Sequence, residues 1–336
     1  MIRTLLFATV FGASAAAAAP QDTPATPAAV TELDAIVVTG EVPGPGLWRV
    51  SRDGHAMWVL ATVSPLPRRI EWNADEVVAK IGGAGVLLLP PTAKLEAGGA
   101  ALGGLFLLPR LMKARNNPEG DRLADVLPPA DLARWQPLKA RYLGRDRGVE
   151  KRRPLLAALE LREAALEAHD LSTRDRIGDV VERAAKRAGV PLQRPTLTLV
   201  IDDAKAALKS FASTSLDDVP CFRLTLTQVE RDLPTLADRA NAWALGDLDA
   251  LRGLPYTDFA QTCQDALLGT GLAKDQGLAE MPERLAALWL AEAEAALATH
   301  ATSFAVLPLS RVEGPESWLA RLQARGFTVE APGPDR

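Results

Sequence analysis

Histidine and cysteine are scarce in this 336-residue chain: His55, His169 and His300 are its only imidazoles, and Cys221 and Cys263 its only thiols. Zinc sites of the usual kind gather such side chains at short spacings, and these five are too few and too scattered to make one. The two thiols also stand too far apart for a C-x-x-C redox pair. A surplus of basic charge is missing as well. The formal net charge is −4 with 24% charged residues, which is not the electrostatic footprint of a nucleic-acid binder. Beyond the N-terminus no apolar run is long enough to span a bilayer.

What is present begins with a leader. Met1-Ile2-Arg3 supplies positive charge, and TLLFATVFGASAAAAA supplies an apolar stretch that ends in small residues. This is the layout of a secretory signal peptide over residues 1–18, with cleavage expected after Ala18. No cysteine follows that point, so a lipoprotein anchor has no attachment. The mature chain is therefore expected in the periplasm or secreted, and not membrane-spanning. In an oxidising compartment Cys221 and Cys263 are expected to form a disulfide. The chain-entropy model gives a loop of that length roughly 3–4 kcal/mol of stabilisation.

Residues 19–45 are rich in Ala, Pro, Thr and Gly and read as a flexible linker. One β-branched island, Leu33 to Gly40, interrupts them. It resembles the VVVTG stretch near the N-terminus of TonB-dependent outer-membrane receptors, which implies a contact with an envelope partner; a local extended segment is the plainer reading. Residues 46–331 are expected to form one domain, and 332–336 a tail.

Within that domain, Leu47–Val50 and Ala56–Ala61 read as strands joined by Asp53-Gly54, a hairpin signal. A helix is expected over 73–82 with Asn73 as cap and Glu76 completing a capping box. Val86–Leu89 is wholly apolar, as in a central parallel strand. From about 100 to 300 the pattern is mainly helical, with apolar faces over 155–169 and 176–188 and further helices near 203–212, 222–245, 256–268 and 281–299. Thr196–Ile201 reads as a strand. The C-terminus returns to strand (303–307), a helix from Pro315, and strand (327–330), a crossover unit. The fold class is α/β, with a mixed sheet formed from N- and C-terminal segments and a large helical middle region.

Three segments, LWRVSRDGHAMWVLATVSPLP, RANAWALGDLDALRGLP and SFAVLPLSRVEGPESWLARLQARGFTV, resemble the TraB/GumN family, which includes the Tiki proteases. The resemblance implies a metal-dependent hydrolase, with peptides as substrate in the Tiki branch. Its site would hold two G-x-x-H motifs at strand ends and an acidic residue after a nearby strand, binding a divalent metal that activates water.

The sequence departs from that pattern at each point. Ala61-Thr62-Val63-Ser64 and Leu307-Pro308-Leu309-Ser310 stand where the motifs fall, with serine in place of each histidine, and the acidic position falls at about Leu89. A neutral hydroxyl is a poor substitute for imidazole, and leucine binds nothing. No metal ligand and no cofactor are therefore assigned. The expectation is a degenerate relative that binds a peptide or an envelope protein in a cleft formed by Ser64, Arg68, Arg69, Ser310 and Arg311. The alternative is a hydrolase with a rearranged site around Ser64, Ser310 and Glu71, the nearest carboxylates to the two motifs being Glu71 and Glu313. Neither serine lies in a nucleophile elbow. Trp243 reads as core, Trp48 and Trp58 as sheet packing, and Trp72 as a residue at the cleft mouth.

Overall fold

The computed structural model describes residues 43–97, 114–201, 218–254 and 278–333, with residues 203, 206, 209, 210, 256 and 263 besides. Residues 1–18, expected to be a leader, and the Leu33–Gly40 island lie outside the described residues, and so does most of 203–212 and 256–268.

Two strands open the domain, β1 (Leu47–Arg52) and β2 (His55–Thr62), paired antiparallel with Arg52 opposite His55. Asp53 and Gly54 join them with φ of 52° and 83°. Both central residues at positive φ define the hairpin turn that follows strand twist, which is why Asp-Gly stands there. After β3 (Leu66–Pro67) comes α1 (Asp75–Gly82). It starts two residues later than the sequence implied. Asn73 Oδ1 accepts the Asp75 N–H at 2.9 Å, an Asx turn that leads into the helix rather than a cap upon it. Then come β4 (Leu87–Leu88) and β5 (Thr92–Ala97).

The middle region holds α2 (Leu123–Val126), α3 (Pro129–Tyr142), α4 (Pro154–Ala168), β6 (Leu171–Ser172), α5 (Arg176–Ala188), β7 (Leu192–Gln193) and β8 (Thr196–Ile201). It continues with α6 (Val219–Thr227), α7 (Leu236–Ala244), α8 (Leu248–Gly253) and α9 (Met281–Thr299). Besides the expected strand over 196–201, the stretch 171–201 thus carries two short strands, β6 and β7, in a region read as mainly helical. The single helix expected over 222–245 is also divided. A π turn (Gln228–Asp232) and a 3-10 turn (Leu233–Thr235) separate α6 from α7, where Pro234 has no N–H to donate. The chain ends with β9 (Thr302–Pro308), α10 (Leu309–Val312), α11 (Trp318–Ala324) and β10 (Thr328–Glu330). Ser317 accepts the Ala320 N–H at 3.1 Å. That cap starts α11 at Trp318, so Pro315 precedes the helix instead of lying in its first turn.

The main sheet has six strands in the order β10-β1-β2-β9-β4-β7. β2, β9, β4 and β7 run parallel, while β1 is antiparallel to both of its neighbours. The two ends of the chain therefore share one sheet, with β9 at its centre. Alternate strand residues feed two cores. Leu60, Leu87, Phe304 and Val306 face α1, α5 and α7. Val59, Leu88, Ala305 and Leu307 face α9 and α11. Helices thus cover both faces of a mostly parallel sheet, as such sheets require.

The middle region builds a third core around Trp135 and Phe222, whose ring centroids lie 5.4 Å apart. The start of α4 is buried there. Asp218, the residue before α6, accepts the Leu155 N–H at 2.9 Å. Arg153, 2% exposed, donates to the Ala114 carbonyl at 3.0 Å. Burial draws the Arg153 guanidinium below its ordinary pKa, and the Asp218 charge opposes that shift. Cys221 and Cys263 are joined as a disulfide and packed with Leu155.

Candidate functional site at the strand tips

The parallel register of β2 and β9 sets Ala61 opposite Leu307 and Thr62 opposite Pro308. The four-residue segments 61–64 and 307–310 therefore begin side by side at the carboxyl ends of adjacent strands. In α/β sheets that edge is where ligands bind. Beyond it the two chains part. From β2 the chain passes through the cis Ser64-Pro65 bond into β3, which pairs with β6 of the middle region. From β9 it enters α10 at once. Ser64 is exposed on the first path and Ser310 on the second.

Below the serines the positions are core. Ala61 and Leu307 are buried and point into the α9–α11 layer. Leu89 is 3% exposed, donates its N–H to Gln193 at 2.8 Å, and packs in the cluster of Leu60 and Val306. This donor set does not fit a divalent metal: two hydroxyls and an aliphatic chain occupy the three positions. The imidazoles stand elsewhere. His55 begins β2 and contacts the Leu297 carbonyl through Nδ1, and His300 precedes β9 against Gly85. Both lie at the opposite end of the sheet, about 25 Å from the tips at the rise of a strand. His169 contacts the Tyr142 hydroxyl.

The charged residues expected around the cleft are held by different elements. Arg68 pairs with Glu167 of α4 at 3.0 Å. Arg311 lies over the Trp318 ring of α11 at 5.7 Å. Arg69 and Glu71 are exposed, and Glu313 accepts from Arg252 Nε of α8 at 3.1 Å. The serines therefore share an edge, whereas Arg68 and Arg311 are drawn to separate helices.

The middle region meets this edge through aromatic residues. Trp243 of α7 donates its indole N–H to the Ala61 carbonyl at 2.7 Å, and Trp72 packs on its ring at a centroid distance of 5.4 Å. Tyr256 donates its hydroxyl proton to the Ser64 carbonyl at 3.2 Å. Behind Pro65 a small cleft has Leu166, Leu233 and Leu236 as apolar walls and Arg162, Asp232 and Tyr256 as polar groups. Arg239 lies 4.2 Å from the Tyr256 ring centroid. Burial lowers the pKa of Arg162 and Arg239, with the Tyr256 hydroxyl opposing the shift. Burial raises the Asp232 carboxyl, opposed by Arg231. None of these cleft residues stands out in the sequence, because four separate segments bring them together. A π turn is frequent at functional sites, and here it carries Asp232, but its wider ring has no sequence signature.

A parallel-centred α/β sandwich with paired strand-tip segments and a helical cap defines the class of this protein. The TraB/PrgY/gumN family model matches residues 46–331, and the chain belongs to that family. No curated protein and no solved structure matches it at a significant level. Among the described residues no helix is long and apolar enough to cross a membrane.

Proposed function

We propose that this chain is an exported family member that binds a peptide or a protein of the cell envelope and does not carry out metal-dependent hydrolysis. The observation that carries this reading is the register of Ala61 with Leu307. It aligns the two strand-tip segments as a ligand site requires, while serine, serine and buried leucine occupy the positions that would have to bind a cation. A hydroxyl without a positioned base is a weak nucleophile, and Glu71 is exposed to solvent. The edge retains what binding needs: exposed hydroxyls and an adjoining cleft with apolar walls and polar groups. The leader and the disulfide support an extracytoplasmic location.

The test pairs chemistry with capture. Purified protein is titrated with manganese or cobalt in a calorimeter and incubated with a peptide mixture read by mass spectrometry. The expected result is no metal heat and no cleavage. Peptides captured from an envelope extract should be lost from Ser310→Trp, which covers the strand tip. Metal-stimulated cleavage that disappears in Ser64→Ala would overturn the proposal and establish a rearranged hydrolase.

A further inference from the structure

Outside the main sheet, β5 and β8 form a separate two-stranded parallel ribbon, with Leu95 opposite Leu199 and Glu96 opposite Val200. Parallel pairs are ordinarily buried within larger sheets, and isolated two-stranded ribbons are marginal in water. This one packs Leu199 inward, but Ala93, Lys94, Leu95 and Glu96 are all exposed, Leu95 to 57%. Among the described residues β5 pairs only with β8. Thr92 donates its N–H to Pro195, on the β8 side. Backbone groups alternate along a strand, so Lys94 and Glu96 also bond toward β8. Those of Ala93, Leu95 and Ala97 point to the other edge.

We propose that this edge pairs with the same edge of a second copy of the chain, antiparallel about a twofold axis at Leu95. The sequence of β5 is self-complementary in that arrangement alone. Leu95 meets Leu95 of the second copy as a hydrogen-bonded pair, in agreement with the outward direction of its backbone groups. Lys94 then stands opposite Glu96 of the second copy, and Glu96 opposite its Lys94. These are non-hydrogen-bonded pairs, in which side chains approach most closely. Lys94 and Glu96 already touch within one chain at 2.7 Å, so dimerisation completes a checkerboard of four alternating charges. In-register parallel pairing would set lysine against lysine and glutamate against glutamate. A slip by one residue would set Lys94 against leucine. The twofold contact closes on itself, so it makes a dimer and not a fibre.

Charge exchange tests the pairing by sedimentation velocity on the mature chain, up to about 100 µM, a range that populates weak specific complexes. The wild type should sediment as a dimer at the upper end. Lys94→Glu and Glu96→Lys should each sediment as monomers with unchanged circular dichroism. An equimolar mixture of the two variants should dimerise again, as should the double exchange K94E/E96K. A wild type that stays monomeric throughout would overturn the proposal, as would single variants as dimeric as the wild type. Failure of the mixture to recover the dimer would equally overturn the register.

Discussion

The indole N–H of Trp243 is bonded to the carbonyl of Ala61 at 2.7 Å across 182 residues of sequence. This bond ties the helical middle to the first strand-tip segment in a buried setting. Trp243→Phe keeps most of the ring against Trp72 but leaves the Ala61 carbonyl without this donor. The expected cost is about 1–3 kcal/mol, the penalty for an unsatisfied buried acceptor. Urea titration followed by circular dichroism measures it, and an unchanged midpoint would show that the bond contributes nothing.

Asp218 caps the buried start of α4 and offsets the charge of buried Arg153. Asp218→Ala removes both interactions at once and should cost about 3–5 kcal/mol. Asp218→Asn keeps the acceptor for the Leu155 N–H and removes only the charge, so it should cost less. If the two variants unfold at the same denaturant concentration, the charge dominates and the cap is secondary.

The disulfide joins α6 to Cys263 across 42 residues. Loss of the crosslink in Cys221→Ser/Cys263→Ser should lower stability by roughly 2–4 kcal/mol. Equal thermal midpoints for this variant and the wild type would contradict a stabilising crosslink. Protein purified without reductant should bind no thiol reagent until it is reduced.

Burial raises the folded-state pKa of Asp232. A carboxyl with a raised pKa favours folding while protonated, below its unfolded value near 4. That advantage is lost as pH rises through the folded value. Asp232→Asn should therefore raise the melting midpoint relative to wild type at neutral pH, and the gap should close as pH falls below the unfolded value. A gap that widens on acidification would reverse the assigned sign.

Local chemistry made much of the fold legible. Asp53-Gly54 announced the hairpin, and the Asp175 cap with Gly189 at φ 70° bounds α5 at the residues where its apolar period begins and ends. β8 and α9 were readable from period alone. β5 was not: TAKLEA does alternate polar and apolar, but its apolar side is two alanines and an exposed leucine, and Ala, Lys, Leu and Glu all favour helix. The split between α6 and α7 was hidden too, because a π turn keeps helical composition while shifting its bonds. At the candidate site, Ser64, Ser310 and Leu89 were singled out through the family resemblance, and the register of β2 with β9 sets the two serine-bearing segments to begin side by side. Tyr256, Arg162 and Asp232 were not legible, since only the packing of distant helices makes them neighbours.

The position of β9 has a consequence for biogenesis. The strand that joins the two halves of the sheet begins at Thr302, so a nascent chain synthesised as far as His300 has β2 and β4 but nothing to bridge them. Contacts of such long range close slowly. The sheet therefore assembles only once Thr302–Pro308 has been made, and until then β2 and β4 have no strand between them.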